Sequence, residues 1–440
     1  MKNLKINDNS LLLPEQVAQT PRLLGKLANK PFRDLESEGV FIVQDALKES
    51  EDLDAENVVI SHSRGEYRTS NLMGFIGFGD ERLTIKSRFS NHTEDHFFRY
   101  LLARVFGLPN IVDLNTDLDH DGQVFEYLIF LFPRFLKQAM RKGLYKQYVT
   151  YQRNEATIRG TIDIARHIKE NTPFTGKVEF NERQFSFDNA MMQLVRHTIE
   201  VISLKPNGKF LLAQVKDDVR LVREVTGPYR AYERRRVINQ NTKRLIRHAY
   251  FREYASLQKL CLLILQQRKH FVGSGKREIY GVLFDGAWLW EEYVNSLISA
   301  DYFHPRNKSS EGRHHLFSNS SGWVYPDFVS RDHDNRIIAD AKYKPIETIR
   351  NRDYLQILAY MYRFDARVGY FLYPEGGETR AHKLWLNKGS IYENNEKPRD
   401  DTFVIKHGLR IPQGAKDYES FVSLMKVSEA EFANALSILV

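Results

Sequence analysis

Two short apolar runs joined by a polar turn, YPDFVS and RIIADAKY, carry charged residues inside what reads as buried sheet. The pattern predicts a strand over residues 325–330 and a returning strand over residues 336–343. On an extended chain, side chains two positions apart point to the same face, so Asp340 and Lys342 share one. Charged side chains are seldom buried without a partner or a task. The hairpin therefore restricts this part of the chain to a sheet that can hold ionised groups.

The hairpin also places Asp327, on the first strand, beside Asp340 and Lys342 on the second. Two carboxylates with one ammonium suit a Mg²⁺ site, because magnesium prefers oxygen ligands and keeps several waters. The adjacent lysine can orient one of those waters, or help to deprotonate it, for in-line attack on phosphorus. The same residues also fit a surface hairpin in which Lys342 forms an ion pair with a neighbouring aspartate. Residues outside the hairpin have to separate the two interpretations.

Two predicted helices flank the hairpin and carry polar residues of their own. Residues 284–298 predict a helix in which Glu291 and Glu292 interrupt an aromatic and aliphatic face. A carboxylate on this helix could serve as a further ligand of a metal ion bound by the hairpin. Downstream, DYLQILAYMYRF predicts a helix with Gln356 and Tyr360 four residues apart on one face, where they can brace the lysine or contact a phosphate. The order of helix carboxylate, strand Asp, strand Asp-x-Lys and Gln-x-x-x-Tyr is far more specific than the hairpin motif alone.

Length and composition describe a globular protein of two or three domains that favours an anionic partner. The chain has 440 residues, a formal charge of +8 and 56 acidic residues, so its basic character is a patchwork. Its single cysteine, Cys261, excludes an intramolecular disulfide and a cysteine-rich zinc site. The start MKNLKINDNS lacks the apolar segment of a secretory signal, and the apolar run from Val124 is shorter than the ~20 residues of a membrane span. We expect a cytoplasmic protein with no membrane segment.

Changes in pattern divide the chain into three predicted regions. Residues 1–110 are β-prone with Gly, Asn and Asp at the turns, residues 111–272 are mainly helical, and residues 273–440 contain the hairpin. The middle region also holds basic helices and a motif of Arg, Gly and Asp. The GFIGFG stretch, residues 74–79, has the wrong spacing for a phosphate-binding GxGxxG loop, so a strand or tight turn is predicted there.

The order of these motifs resembles the PD-(D/E)xK nuclease superfamily over roughly residues 275–385. Within that superfamily, the chain is similar to the McrC family, the nuclease subunits of McrBC-type, modification-dependent restriction systems. The similarity extends to ATIRGTIDIARHI at residues 156–168, to SFDNAMMQLV at residues 186–195, and to LWEEYV, which selects Glu291 rather than Glu292 for the site. The resemblance implies an α+β multidomain fold with a β-rich N-terminal domain, a helical middle region and a C-terminal PD-(D/E)xK restriction-endonuclease-like α/β core.

The resemblance also implies an enzyme. Its activity would be that of a metal-dependent endodeoxyribonuclease, which hydrolyses DNA phosphodiester bonds with Mg²⁺ or with Mn²⁺ in its place. The metal ligands implied are Glu291, Asp327, Asp340 and the carbonyl of Ala341. Lys342 would be the catalytic lysine, and the catalytic set as a whole would be Glu291, Asp327, Asp340, Lys342, Gln356 and Tyr360.

The partners implied by the resemblance are a motor and DNA. McrC-like proteins bind no nucleotide themselves and attach, through their N-terminal half, to a hexameric AAA+ GTPase of the McrB type, which they stimulate. The sequence agrees in having no Gly-x-x-x-x-Gly-Lys-Ser/Thr loop, so a nucleotide motor has to be a partner. Double-stranded DNA would be the substrate, with any modification recognised by the motor. N-terminal cations that either dock the motor or are solvated strand charges are Arg64, Arg68, Arg82, Lys86 and Arg88.

A basic stretch in the middle region has two interpretations. It can contact DNA phosphates, or it can be the solvated face of a helix that pairs with acidic residues. Its members are Arg234, Arg235, Arg236, Lys243, Arg244 and Arg247.

Two other functions remain open from sequence alone. The first is a non-catalytic activator or assembly factor of the AAA+ motor that keeps the nuclease fold as a scaffold. The second is a stand-alone PD-(D/E)xK repair nuclease. The joint presence of all the catalytic residue types favours an enzyme over a scaffold.

Overall fold

The computed structural model divides the chain into two compact units. It describes residues 2–32, 34–35, 40–43, 58–90, 95–106, 120–205, 208–246, 248–270, 279–305, 314–377, 382–388 and 397–437. One unit consists of Met1–Asp117 together with Gly275–Val440, and the other of Leu118–Ser274. The second unit corresponds to the predicted middle region, 111–272. The first and last predicted regions, 1–110 and 273–440, contribute to a single unit instead of forming one each.

Helices and strands occur in all three stretches of the chain. The first stretch contains β1 (Lys2–Asn7), α1 (Pro14–Gln19), α2 (Pro21–Leu27), β2 (Val40–Val43), β3 (Ile60–Ser63), β4 (Glu66–Thr69), β5 (Leu72–Phe78), β6 (Glu81–Lys86) and α3 (His96–Val105). The middle unit contains α4 (His120–Met140), β7 (Gln147–Glu155), β8 (Thr161–Ile162), α5 (Ile164–Glu170), β9 (Val178–Ser186), α6 (Ala190–Ser203), α7 (Gly208–Ala213), α8 (Lys216–Val225), α9 (Arg234–Lys243) and α10 (Arg252–His270). The last stretch contains β10 (Ile279–Asp285), α11 (Gly286–Ile298), β11 (Tyr302–Phe303), β12 (His314–His315), β13 (Trp323–Val324), β14 (Phe328–Ser330), β15 (Ile337–Ala341), α12 (Asn351–Arg363), β16 (Val368–Glu375), β17 (His382–Lys388), β18 (Lys397–Arg410) and α13 (Tyr418–Ser437). Short 3₁₀ turns lie at Ala231–Glu233, Ala249–Phe251 and Ile346–Thr348.

A five-stranded sheet joins the first and last stretches of the chain. Its strand order is β1-β6-β5-β10-β2, with β10 antiparallel to β5 and parallel to β2. Its strands bury apolar side chains against α2 in a core that includes Leu23, Ile76 and Leu283. Because β10 comes from the last stretch, the first and last predicted regions fold together here. The predicted strand or turn at GFIGFG is confirmed as β5, followed by a turn in which Gly79 has a φ of 63°.

A six-stranded mixed sheet lies in the same unit, in the order β11-β14-β15-β16-β18-β17. β14 and β15 form the predicted antiparallel hairpin, with Phe328 opposite Ala339. β15 and β16 are parallel, as a crossover through α12 requires, and Ile338 and Phe371 pack with Ile357 of that helix. This sheet and its helices confirm the predicted mixture of helix and sheet, and they place the candidate site at the end of β15.

The middle unit combines helices with a three-stranded antiparallel sheet in the order β7-β9-β8. Asp163 caps α5, since its carboxylate accepts a hydrogen bond from the Arg166 backbone amide at 3.1 Å. At Gly160 an added Cβ atom would lie 2.2 Å from the Asn181 carbonyl oxygen, so the close approach of two backbones requires glycine. Asn189 caps α6 in the same way as Asp163 caps α5. In this unit, Gly160 therefore allows a close contact between two backbones, and Asp163 and Asn189 cap the first turns of two helices.

Composition led to one expectation about membrane spans and another about Cys261. Among the described residues, no helix combines the length and the apolar character needed to cross a membrane. Cys261 is fully buried, and burial raises the pKa of its thiol to about 12. A thiol in that environment is unreactive, because the thiolate is the nucleophilic form.

Gly74 lies on β5 in close contact with the backbone of β10. Its φ is +131°, and an added Cβ atom would lie 2.2 Å from the Val282 carbonyl oxygen. We expect Gly74→Ala to lower the midpoint of thermal unfolding by about 2 °C or more, since overpacking of this kind costs about 1–3 kcal/mol. The matched control is Gly25→Ala in α2, where nothing lies within 4 Å of the Cβ position and alanine favours the helix. Equal midpoints for the two variants, followed by circular dichroism, would contradict the pairing of β5 with β10.

Candidate active site

The end of β15 places an aspartate and a lysine side by side. Asp340 lies in the strand and is 2% exposed. Lys342 follows it, and its backbone amide donates to the Leu372 carbonyl oxygen at 2.8 Å, which continues the pairing with β16. The Lys342 Nζ lies 2.7 Å from Oδ2 of Asp340. The two side chains share a face, as the sequence predicts.

Asp327 precedes β14 and joins the pair through the backbone of the neighbouring strand. Its Oδ2 accepts a hydrogen bond from the Ala341 amide at 2.8 Å. Because Ala341 stands between Asp340 and Lys342 in sequence, this bond fixes Asp327 next to both. The Asp327 carbonyl oxygen lies 2.8 Å from Nδ1 of His304, and a carbonyl can only accept, so that ring nitrogen carries a proton.

Helix α11 brings Glu291 to the same end of the sheet. Asp285 caps the start of this helix, since its buried carboxylate accepts a hydrogen bond from the Ala287 amide at 2.9 Å. The Trp290 indole donates to the Leu372 carbonyl oxygen at 3.0 Å, the same oxygen that accepts the Lys342 amide. One carbonyl therefore ties the helix that carries Glu291 to the strand that carries the lysine.

His304 connects the two carboxylates that sequence analysis assigned to different elements. Its Nε2 lies 3.6 Å from Oε1 of Glu291, while its Nδ1 contacts the Asp327 backbone. Its ring packs against Phe328 with 5.0 Å between centroids. This residue was not predicted, because YFHP carries no periodic signal and only the pairing of β11 with β14 brings it to the site.

Gln356 and Tyr360 lie on α12 and hold the lysine from the other side. The Lys342 Nζ donates to Oε1 of Gln356 at 3.1 Å, and Nε2 of Gln356 donates to the Tyr360 hydroxyl at 2.7 Å. The orientation of the amide follows from these two bonds, since the lysine can only donate. The geometry is that of the predicted brace for the lysine.

A second ion pair, not identified from sequence, lies beside the first. Lys344 Nζ donates to both carboxylate oxygens of Asp353, at 2.8 and 2.7 Å. The Asp353 Oδ1 is also 3.9 Å from Lys342 Nζ. Burial acts to raise the pKa of Asp353, but its hydrogen bonds to Lys344 and to the Arg350 amide lower that pKa below its usual value. The alternation of Lys342 and Lys344 was the available signal, because it puts both ammonium groups on one face.

Burial and like charges act strongly on the two strand aspartates. Burial, followed by the charges of Glu291 and Asp340, raises the pKa of Asp327 well above its usual 3.8. Burial also raises the pKa of Asp340, against the opposing effect of Lys342. Burial acts to lower the pKa of Lys342, but the charges of Asp340 and Asp327 outweigh it and raise that pKa above 10.5. The lysine is held as an ammonium among carboxylates that are costly to ionise.

Negative charge exceeds positive charge at this end of the sheet. Three carboxylates, those of Glu291, Asp327 and Asp340, interact electrostatically with one another or with Lys342. When all three are ionised, the single ammonium of Lys342 leaves two negative charges uncompensated. Among the described residues, no group of three or more His, Cys, Asp or Glu side chains is arranged to hold a metal ion. Asp327 accepts its hydrogen bond through Oδ2, whereas the buried Oδ2 of Asp340 contacts Lys342 as an ion pair and has no hydrogen-bond partner among the described residues. A divalent cation that keeps several waters fits this charge and this set of oxygens.

The N-terminal cations expected to dock a motor differ in accessibility. Arg64 and Arg68 are exposed on the β3–β4 hairpin, and Lys86 is half-buried. Arg82 is 2% exposed and lies over an aromatic ring. Arg88 forms an ion pair inside the unit. Little of Arg82 or Arg88 is accessible to a partner, so the docking prediction is kept for the other three residues.

The basic stretch of the middle unit lies mainly on α9. Arg235 and Arg236 are exposed, Arg234 is half-buried, and Arg236 pairs with Glu233 at 2.7 Å. Lys243 and Arg244, at the end of the helix, are exposed as well. Arg247 lies outside the described residues. Contact of these side chains with DNA stays a prediction.

A family sequence model matches the chain, and two solved structures show some similarity to it. The sequence model of McrBC 5-methylcytosine restriction system components matches residues 67–374. A half-complex from a tetradecameric assembly of Thermococcus gammatolerans McrB AAA+ hexamers with bound McrC is similar at a TM-score of 0.46 and 15% identity, with 100% of each chain covered. The Thermococcus gammatolerans McrBC complex is similar at a TM-score of 0.31 and 15% identity, with 68% of this chain and 87% of that chain covered. No curated protein matches. Because the family model matches more than half of its residues, the chain belongs to the family of McrBC 5-methylcytosine restriction system components.

Proposed function

We propose that this chain is the Mg²⁺-dependent endonuclease subunit of an McrBC-type restriction complex, with a PD-(D/E)xK core that hydrolyses DNA phosphodiester bonds. The observation that carries the proposal is the buried ion pair of Asp340 with Lys342, with Asp327 hydrogen-bonded to the amide between them. An ion pair that served only stability would not need a second carboxylate beside it, because like charges in a buried site are costly. Buried carboxylates that repel each other are expected at a functional site, where the function requires both.

The residues that would hold the metal are Glu291, Asp327, Asp340 and the carbonyl of Ala341. The support is electrostatic, since their excess negative charge is what a divalent cation neutralises. When bound, Mg²⁺ would polarise a phosphoryl oxygen and favour a nucleophilic water at neutral pH. Mn²⁺ can take its place, because it suits the same carboxylate, carbonyl and water oxygens.

Lys342 acts in this proposal as a donor. Its raised pKa keeps it protonated at neutral pH, so it cannot accept a proton from water in its resting state. It orients the attacking water and stabilises negative charge that develops on the phosphate. Gln356 and Tyr360 hold the ammonium in place through the two hydrogen bonds that run along α12. The enzyme therefore uses the lysine for positioning and charge, and the carboxylates for the metal.

The nucleotide motor of this system is a partner. The chain contains no Gly-x-x-x-x-Gly-Lys-Ser/Thr sequence, and its family membership points to an McrB-like AAA+ GTPase hexamer. Two surfaces suit that contact: the β3–β4 hairpin with Arg64 and Arg68, and the β7–β9 ribbon, which exposes large apolar side chains of the kind found at protein interfaces. The exposed members on or beside that ribbon include Tyr148, Phe185 and Phe187. The other partner is double-stranded DNA, which the exposed cations of α9 would contact through phosphates.

The nuclease assignment is tested by Asp340→Asn and Lys342→Ala in the complex reconstituted with the AAA+ GTPase and Mg²⁺. Each variant should lower the rate of DNA cleavage by on the order of 10³-fold or more, because each removes charge that acts on the reacting phosphate. Stimulation of GTP hydrolysis should stay within about twofold of the wild type, since neither residue lies on a proposed docking surface. Gel-based cleavage assays and phosphate release measure the two activities.

Asp332→Asn is the matched control, because Asp332 is half-buried in the turn of the same hairpin and its carboxylate accepts hydrogen bonds only from within that turn among the described residues. It should cleave DNA at the wild-type rate. Near wild-type cleavage by both site variants would reduce the hairpin to a structural element and end the nuclease proposal. Loss of GTPase stimulation together with cleavage would favour the non-catalytic activator instead.

Asp327→Asn tests whether the site is built for a cation at the expense of stability. The pKa of Asp327 is raised in the folded chain, so ionisation of this carboxyl removes stability as the pH rises through the folded-state pKa. At pH 8 in a chelator, Asp327→Asn should therefore unfold about 2 °C or more above the wild type, the shift that ~1 kcal/mol produces. Addition of Mg²⁺ should raise the wild-type midpoint and leave the variant nearly unchanged.

The control is again Asp332→Asn, whose effect should have the opposite sign. The pKa of Asp332 is lowered by hydrogen bonds from the Asp334 and Asn335 amides, so its ionised form contributes stability above its ordinary pKa. Loss of that charge should lower the unfolding midpoint slightly and leave the response to Mg²⁺ intact. A midpoint for Asp327→Asn below that of the wild type in chelator would contradict the electrostatic account of the site.

A further inference from the structure

Arg88 forms a buried contact at the point where the first stretch of the chain meets the mixed sheet. Its Nη2 and Nε lie 2.6 and 3.0 Å from Oδ2 of Asp8, and its backbone amide donates to Oδ1 of Asp8 at 2.6 Å. The Asp8 side chain is fully buried. A buried carboxylate that takes three bonds from one residue is held rigidly. Arg88 is thus fixed in place before it touches anything else.

The guanidinium of Arg88 reaches the start of α11 through Asn71. Its Nη2 donates to the Asn71 side-chain oxygen. The Asn71 carbonyl oxygen in turn accepts the amide of Gly286, the first residue of α11, at 2.9 Å. Glu291 lies on the same helix, little more than one turn further on. The position of Asn71 therefore sets where this helix begins.

The Arg88 guanidinium also lies over the ring of Tyr343, which directly follows Lys342. The distance from the guanidinium carbon to the ring centre is 5.0 Å. The Tyr343 hydroxyl lies 2.8 Å from Oγ of Ser87, the residue before Arg88. An added Cβ atom at Gly286 would lie 2.7 Å from the Tyr343 ring, so the ring and the helix start are in close contact.

We propose that Arg88 is a positioning residue for the nuclease centre. By bonding Asp8 and Asn71 and by covering Tyr343, it fixes the strand end that carries Lys342 relative to the helix that carries Glu291. The inference rests on the proposed nuclease function, since it assigns a role toward that same site. A planar fork of five donors is needed to make these contacts together, and a lysine ammonium cannot reproduce it. Displacements of about 1 Å in a catalytic centre can cost about 10²-fold in rate.

Arg88→Lys in the full chain, assembled with its AAA+ GTPase, tests the proposal because it keeps the charge beside Asp8 and removes the fork. The expected result is a cleavage rate at saturating Mg²⁺ at least tenfold below the wild type, with a Mg²⁺ concentration for half-maximal rate at least threefold higher. Affinity for DNA and stimulation of GTP hydrolysis should stay within twofold. A role in folding alone would lower the unfolding midpoint and leave the Mg²⁺ dependence of the folded enzyme unchanged.

Arg22→Lys is the matched control. Arg22 pairs with the buried carboxylate of Glu81 at 3.0 Å in the same unit, and its other ion-pair partner is the exposed Asp80, so it lies outside the Arg88 cluster. Equal cleavage rates and equal Mg²⁺ dependence for Arg88→Lys and Arg22→Lys would overturn the proposal. If Arg88→Lys does not fold, Tyr343→Phe provides a second test, because it removes the hydroxyl bonds to Ser87 and to the Met73 sulfur and keeps the ring. It should lower the rate at least threefold, and wild-type kinetics would overturn the proposal equally.

Asp340→Asn, run in the same assay, separates this inference from the nuclease proposal. If Asp340→Asn abolishes cleavage while Arg88→Lys leaves it intact, only the positioning role fails. If neither substitution affects cleavage, the nuclease proposal itself fails.

Discussion

The ion pair between Asp340 and Lys342 is the contact on which the rest of the site depends. A buried ammonium and a buried carboxylate each lose hydration, and only their mutual contact and further hydrogen bonds offset that loss. The Lys342 ammonium also donates a hydrogen bond to Gln356. Asp327 accepts a hydrogen bond from the amide of Ala341, which stands between Asp340 and Lys342. Removal of Lys342 would leave the buried carboxylates of Asp340 and Asp327 without their adjacent ammonium group.

The site is assembled by both ends of the chain. The last stretch supplies the strand and helix residues that carry the chemistry, while β5 pairs with β10 directly before α11 begins. Contacts from Asn71 and Ser87 then reach the helix start and Tyr343. Residues 1–110 are therefore part of the unit that forms the site, and not a detachable module for docking alone. A truncation after these residues would remove partners of the five-stranded sheet as well as any docking surface.

The local features of the site could be predicted from sequence, and its long-range contacts could not. The shared face of Asp340 and Lys342 follows from the two-residue period of a strand, and the alignment of Gln356 with Tyr360 follows from the helical period. The pairing of β5 with β10 joins segments that are far apart in the chain, and strand propensity carries no information about the partner. His304 was missed for the same reason, since only strand pairing brings it to Asp327. Arg88 was predicted to be a docking or solvated charge, because its buried partner Asp8 lies in a distant segment of the sequence.

The central claim is that the carboxylates at the end of β15 hold a divalent cation. The most direct measurement is an anomalous difference map from crystals of the chain soaked in Mn²⁺. The account predicts a peak within about 2.5 Å of carboxylate oxygens of both Asp327 and Asp340, the distance range of divalent cations bound to oxygen. It also predicts that crystals of Asp340→Asn lose this peak under the same soak. A map without density at these two residues, or with Mn²⁺ bound only elsewhere, would contradict the account.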